Sequence, residues 1–146
     1  MRVALLACVV ACVSACAGNA VAPSEVSSGT TTNIAGTWNG TIVSSNNATE
    51  QVRMVLTQSG SDVSGTWDSS SVSWAGQISG AVSGTSFTGQ FTFSGTAADG
   101  TVCTGTAKVV GSASASTMTL TSASGVVGGS CPAPLPTGLK IDAQRQ

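Results

Sequence analysis

The sequence predicts an all-β protein, an eight-stranded antiparallel up-and-down barrel, from three observations. From residue 34 onward, apolar and polar residues alternate with a period of two, which is typical of strands with one buried face. Turn-forming residues interrupt this alternation about every 10 to 15 residues. The chain shows no helical period of useful length. Consecutive strands joined by short turns pair most simply as a meander, and closing the meander removes exposed sheet edges.

The start of the 146-residue chain has the layout of an export signal. Arg2 precedes an apolar run that is broken at Ser14, and small residues follow. The run is shorter than the roughly 20 residues that a transmembrane helix needs. Residues 1–15 are therefore predicted to be a signal peptide that is removed.

The end of this signal resembles a bacterial lipobox, an aliphatic residue and two small residues before a cysteine, at Val13-Ser14-Ala15-Cys16. The resemblance implies a lipoprotein of the bacterial cell envelope, acylated on the thiol of Cys16 and again on its new amine, with palmitate-type chains. Two or three chains anchor a protein stably, whereas one is marginal. No Asp follows the cysteine, which by resemblance to known sorting signals favours the outer membrane. The alternative is an ordinary signal that is cleaved after Ala17.

Residues 16–33 are predicted to be the lipidated N-terminus and a flexible linker. The segment is rich in Ser, Thr, Gly and Ala and has no periodicity, which is typical of a tether. The barrel domain is predicted to span residues 34–146.

The five cysteines predict one disulfide. Cys8 and Cys12 lie in the signal, and Cys16 takes the lipid, so Cys103 and Cys131 remain in a chain that matures in an oxidising compartment. A bridge that closes a loop of about 28 residues stabilises by roughly 3.5 kcal/mol in the chain-entropy model. Two thiolates without any His would make a poor metal site, so none is predicted.

The alternation predicts eight strands within the barrel domain. They are residues 34–44, 51–58, 63–68, 72–83, 86–94, 102–110, 117–124 and 139–145. One face of each strand is predicted to point inward; these faces carry Ile34, Trp38, Ile42, Val52, Met54, Leu56, Val63, Trp67, Val72, Trp74, Ile78, Val82, Phe87, Phe91, Phe93, Cys103, Ala107, Val109, Met118, Leu120, Leu139 and Ile141. A barrel of eight strands is just wide enough to be filled by side chains or to hold one small ligand.

The first strand resembles the opening of lipocalins and related calycin barrels, which carry a G-x-W motif, at Gly36-Thr37-Trp38. The resemblance implies that Trp38 plugs the closed end of the barrel and that an Arg of the last strand, here Arg145, packs across its ring. Such a cation–π contact contributes about 0.5–2 kcal/mol. The predicted barrel is shorter than a lipocalin and lacks the C-terminal helix of that family.

Two other small barrels are similar. The segments AGTWNG and SGTW resemble avidin-type barrels, but the chain has no Tyr and has no Trp beyond position 74, so biotin binding is not expected. The chain is also similar in its predicted shape and disulfide to the small periplasmic barrel that inhibits metalloproteases through its N-terminal segment. A lipid on Cys16 would block that mechanism.

The composition speaks against catalysis and against nucleic-acid binding. Charged residues make up 8% of the chain and the net charge is −1, so there is no basic surface for nucleic acid. Without any His, a Ser–His nucleophile is excluded. Most carboxylates lie in the tether or beside turns, where they commonly bond their own backbone; the acidic residues after the signal are Glu25, Glu50, Asp62, Asp68, Asp99 and Asp142. We expect no enzyme, no cofactor and no metal.

The aromatic residues leave two functional hypotheses. Trp67 and Trp74 are separated by one tight turn and are predicted, with Phe91 and Phe93, to line an apolar ligand pocket at one rim. Alternatively, the aromatic side chains simply fill the barrel. The first hypothesis is a non-enzymatic, membrane-anchored barrel with a structural or protein-interaction role, or an inhibitor of an extracytoplasmic enzyme, for which the Pro-rich loop 125–136 is a candidate contact surface. The second is a lipocalin-like carrier of a small apolar ligand, which a preformed cavity would favour.

Overall fold

The protein is a closed eight-stranded antiparallel barrel. A computed structural model describes residues 30–43, 48–70, 74–96, 100–129 and 139–146, with the backbone alone at 126–129. Within these residues it contains no helix, and its strands are β1 (Gly36–Val43), β2 (Thr49–Ser59), β3 (Asp62–Ser69), β4 (Trp74–Ser83), β5 (Ser86–Thr96), β6 (Val102–Ala113), β7 (Thr117–Gly129) and β8 (Lys140–Arg145). Each strand pairs with the next, and β1 pairs with β8. The predicted fold class is confirmed. No helix in the part of the chain that the structure describes is long and apolar enough to cross a membrane.

The largest departure from the predicted strands is in β7. It continues to Gly129, so the prediction that residues 125–129 belong to a loop is wrong. The reason is a β-bulge: Lys108 pairs with Ser124 while Val109 pairs with Ser122, which leaves Ala123 as an extra residue. A bulge inverts the alternation of the residues beyond it, and period-two patterning therefore stops at this point. Residues 130–138 lie outside the described part.

The two ends of the barrel differ in their connections. At the end that we call the tight end, β2–β3, β4–β5 and β6–β7 are joined by turns of two or three residues, at 60–61, 84–85 and 114–116. Residues 30–35 also lie at this end, where the backbone N–H of Thr32 donates to the carbonyl of Gly84. The connections at the opposite, open end contain residues 44–47, 71–73, 97–99 and 130–138, which lie outside the described part.

The tight half of the barrel is filled by side chains. Trp38 is fully buried, and its Nε1 donates a 2.9 Å hydrogen bond to the carbonyl of Ile34, which is itself fully buried. The other large side chains that are almost completely buried are Phe87, Met54, Leu120 and Val82. Because the ring meets both an apolar surround and an acceptor for its N–H, the indole of Trp38 closes this end without an unsatisfied polar atom.

Arg145, in the last strand, connects several backbone segments at the tight end of the barrel. Its backbone pairs with that of Trp38 in the β1–β8 seam. Its guanidinium donates to the carbonyls of Asn33, Ala35 and Ala115, so one side chain joins the segment before β1 to the β6–β7 turn. The planar fork of arginine suits such a divergent set of acceptors. A cation–π contact across the Trp38 ring stays a prediction.

Candidate ligand cavity

The open half of the barrel contains a cavity of about 220 Å³. Every strand contributes to its lining, which among the described residues consists of Ile42, Ala48, Glu50, Trp67, Trp74, Phe91, Phe93, Ala107, Val109, Ser122, Leu139 and Ile141. Most of the deep positions are more than nine-tenths buried, whereas Ile42, Glu50, Trp74 and Leu139 are half-buried and form the rim. The barrel is therefore packed in one half and hollow in the other.

The structure brings the four sequence-predicted pocket residues together. Trp74 stacks on Phe93 with ring centroids 5.5 Å apart and 16° between the planes. Trp67 lies deeper, with its ring centroid 6.1 Å from that of Phe91. These pairs come from the neighbouring strands β3, β4 and β5, so one wall of the cavity is aromatic. Ala107, Val109 and the aliphatic residues of β8 and β1 form the facing wall.

The aromatic wall is held by glycines and by one hydrogen bond. The indole Nε1 of Trp67 donates to the carbonyl of Thr92 at 2.9 Å. A Cβ at Gly76 would overlap that carbonyl and lie 2.8 Å from the indole nitrogen, so only glycine leaves room for the bond. Similarly, the ring of Trp74 lies against Gly95, where a Cβ would come within 2.5 Å of the ring. The inward glycines of the sequence thus fix where the rings sit.

Two polar side chains interrupt the apolar lining. The hydroxyl of Ser122 accepts a 3.0 Å hydrogen bond from the backbone N–H of Leu139 and so fastens β7 to the start of β8. Glu50 lies in β2 at the same parity as the buried Val52 and Met54, and it faces the cavity. Glu50 was expected in or beside the turn that precedes β2; it lies within the strand, which begins at Thr49.

The carboxylates do not come together for acid–base catalysis. Asp62 and Asp68 are exposed on the outer face of β3, while Glu25 and Asp99 lie outside the described residues. Asp142 faces outward, 2.8 Å from the ammonium of Lys140, and accepts a hydrogen bond from Thr119. Those two hydrogen bonds, the one from Lys140 foremost, hold the pKa of Asp142 below its usual value. Among the described residues no group of three His, Cys, Asp or Glu side chains could hold a metal.

The predicted lipidation and disulfide residues are only partly visible. Cys103 is buried in β6 near the open end, where its backbone pairs with Gly95 and Gly129. Cys131 and Cys16 lie outside the described residues. Both the disulfide and the anchor therefore stay predictions.

Comparisons with protein-family models, with curated proteins and with solved structures gave no match. The functional argument therefore depends on the cavity. Its aromatic wall was predicted from the sequence, but Glu50 was missed. The signal that could have found it is its position two residues before Val52, in phase with the inward residues of β2.

Proposed function

We propose that the protein is a non-enzymatic, lipid-anchored binding protein that carries a small apolar ligand in the open half of its barrel. The observation that supports this function best is the cavity of about 220 Å³ between Trp67, Trp74 and the aliphatic wall. A barrel with a purely structural role has no need of such a space, because unfilled volume in a core costs stability.

The size of the cavity suggests the size of the ligand. An apolar cavity of about 150 Å³ stays dry and binds benzene, so this one suits a molecule with one ring and a short substituent. Sites for drug-sized ligands usually exceed about 300 Å³. The rim residues Trp74 and Leu139, both half-buried, would contact the substituent.

The location is part of the proposal. The lipobox at Cys16 supports anchoring in the bacterial cell envelope, with the outer membrane favoured, and the linker between Cys16 and Thr32, which is bonded to the barrel, supplies the tether. A disulfide between Cys103 and Cys131 is supported by the register. Cys103 pairs with Gly129. Cys131 follows Gly129 by two residues, so the Cα atoms of Gly129 and Cys131 are at most about 7 Å apart.

Mass spectrometry of the full protein, extracted in mild detergent from its own membranes, tests these parts separately. The denatured protein is expected to have the mass of residues 16–146 plus acyl chains and minus two hydrogens. A bare peptide mass would overturn the anchor, and a mass without the loss of two hydrogens would overturn the disulfide. In the native spectrum, an additional mass that disappears on denaturation would identify a bound ligand.

Filling the cavity is expected to abolish binding. In Ala107→Phe a ring replaces a methyl group on the cavity wall, at a position that is 7% exposed. We expect benzyl alcohol to bind the unchanged protein with a Kd of about 0.1–1 mM and the variant at least ~10-fold more weakly. The measurement is the NMR shift of the indole N–H signals of Trp67 and Trp74. The signal of Trp38, in the packed half, serves as the internal reference.

The matched control is Ala75→Phe, which adds the same ring to the exposed outer face of β4 near the same end. It should bind benzyl alcohol as the unchanged protein does. Absence of binding to the unchanged protein, together with no ligand in the native mass spectrum, would contradict the carrier function and favour the structural or protein-interaction role.

A further inference from the structure

Glu50 places one carboxylate at the rim of an apolar cavity. Its backbone pairs with that of Ile42, another rim residue, and its side chain is half-buried. It is the only charged residue among the described residues that line the cavity. A charged group is uncommon in an apolar lining, because burying a charge without a partner costs free energy.

Within the part of the chain that the structure describes, no cation pairs with Glu50. Arg53 and Lys108 lie on outward positions of β2 and β6. Lys140 is paired with Asp142, and Arg145 is at the tight end. The charge at the rim is therefore not neutralised by a described side chain.

A polar side chain near Glu50, on the neighbouring strand β3, lacks a hydrogen-bond partner. The hydroxyl of Ser69 is buried and makes no hydrogen bond to the described residues. Ser69 pairs with Val52, so Glu50 is its diagonal neighbour across β2 and β3, at about 7–8 Å between Cα atoms. The Glu50 carboxylate is therefore the charged group that a ligand in the cavity can reach, and the buried Ser69 hydroxyl adds an unpaired polar group on the neighbouring strand.

We propose that the ligand is a small amphipathic cation, with an apolar ring or chain in the cavity and a protonated amine at Glu50. This inference rests on the proposed carrier function and specifies its ligand class. Trp74, half-buried at the same rim, is the type of aromatic side chain that attracts cations most strongly. The same carboxylate repels an anion of equal shape, so the cavity discriminates by charge as well as by size.

Three probes that share one ring and differ in charge test the inference, namely benzylamine, benzyl alcohol and benzoate at neutral pH and low salt. Binding is measured by titration calorimetry and by the indole signals of Trp67 and Trp74. We expect benzylamine to bind about 3- to 10-fold more tightly than benzyl alcohol, and benzoate more weakly than both. In Glu50→Gln the advantage of benzylamine should disappear, while the affinity for benzyl alcohol stays within about 2-fold.

Asp68→Asn is the control, because it removes a charge near the same end from the exposed outer face of β3. It should leave the preference for benzylamine nearly unchanged. Equal binding of the three probes at the indole signals would overturn the inference and leave the carrier function standing. Loss of the preference in Asp68→Asn as well would overturn the role of Glu50. Failure of all three probes to bind would overturn both proposals.

Discussion

Trp38→Ala is expected to lower the free energy of unfolding by about 4 kcal/mol, the largest effect of any single truncation in the barrel. Trp38 is fully buried at the tight end and also provides the donor that satisfies the carbonyl of Ile34. Truncation of a buried Trp removes its transfer free energy and leaves a cavity, together about 3–5 kcal/mol. A domain of this size has a total stability of about 5–15 kcal/mol. The urea midpoint should therefore fall by about 2–4 M.

Two further variants separate the causes. Trp38→Phe keeps most of the ring but leaves the carbonyl of Ile34 without its donor, which costs about 1–3 kcal/mol. Trp74→Ala removes the same side chain from the half-buried rim of the hollow half, and we expect a loss of at most about 2 kcal/mol. Equal losses for Trp38→Ala and Trp74→Ala would contradict the division of the barrel into a packed half and a hollow half.

Gly76→Ala is expected to destabilise the barrel by about 3 kcal/mol, although it adds only one methyl group. The new Cβ would overlap the carbonyl of Thr92 and crowd the indole nitrogen of Trp67, so the backbone of β4 and β5 must separate or the indole must leave its acceptor. Overpacking of this kind costs about 1–3 kcal/mol, and loss of the hydrogen bond adds to it. Urea denaturation measures the loss, and the indole N–H signal of Trp67 should shift.

The control for Gly76→Ala is Gly60→Ala in the β2–β3 turn. Gly60 has a φ of 61° and a Cβ there would meet nothing within 4 Å, so only left-handed strain remains. That strain costs about 1–2 kcal/mol and should leave the Trp67 signal unchanged. If Gly76→Ala acts through the indole, it should be non-additive with Trp67→Phe in a double-mutant cycle. Additive losses would instead place the effect in the backbone alone.

Much of the fold could be predicted from the sequence because, in this closed antiparallel barrel, each strand pairs with the strand that follows it in the chain. Trp38, Met54 and Phe87 are buried because each stands in phase with the inward positions of its strand. The strand order follows from short turns, since a strand that ends in a two-residue turn can pair only with the next one. No contact between distant elements had to be guessed except the final seam of β1 with β8.

The parts that could not be predicted are those where local pattern carries no information. Ala123 is the extra residue of the β-bulge in β7. Its neighbours are Ser and Gly, so the sequence shows no alternation of apolar and polar residues there that would reveal the bulge. Whether the interior is filled depends on the combined volume of the inward side chains of all eight strands. The pattern of a single strand does not determine that volume. Glu50 was placed outside the strand because β2 begins at Thr49, two residues before the predicted start and three before Val52, its first apolar residue.

The position of the chain ends has a consequence for the entry of a ligand. The carbonyl of Asn33 and the last backbone N–H, that of Gln146, both make hydrogen bonds at the tight end. The chain before Asn33 therefore leaves the barrel from its packed half, at the end opposite the mouth of the cavity. In the proposed lipoprotein the tether and the ligand would thus occupy opposite ends of the barrel, so that attachment does not obstruct the entry of a ligand.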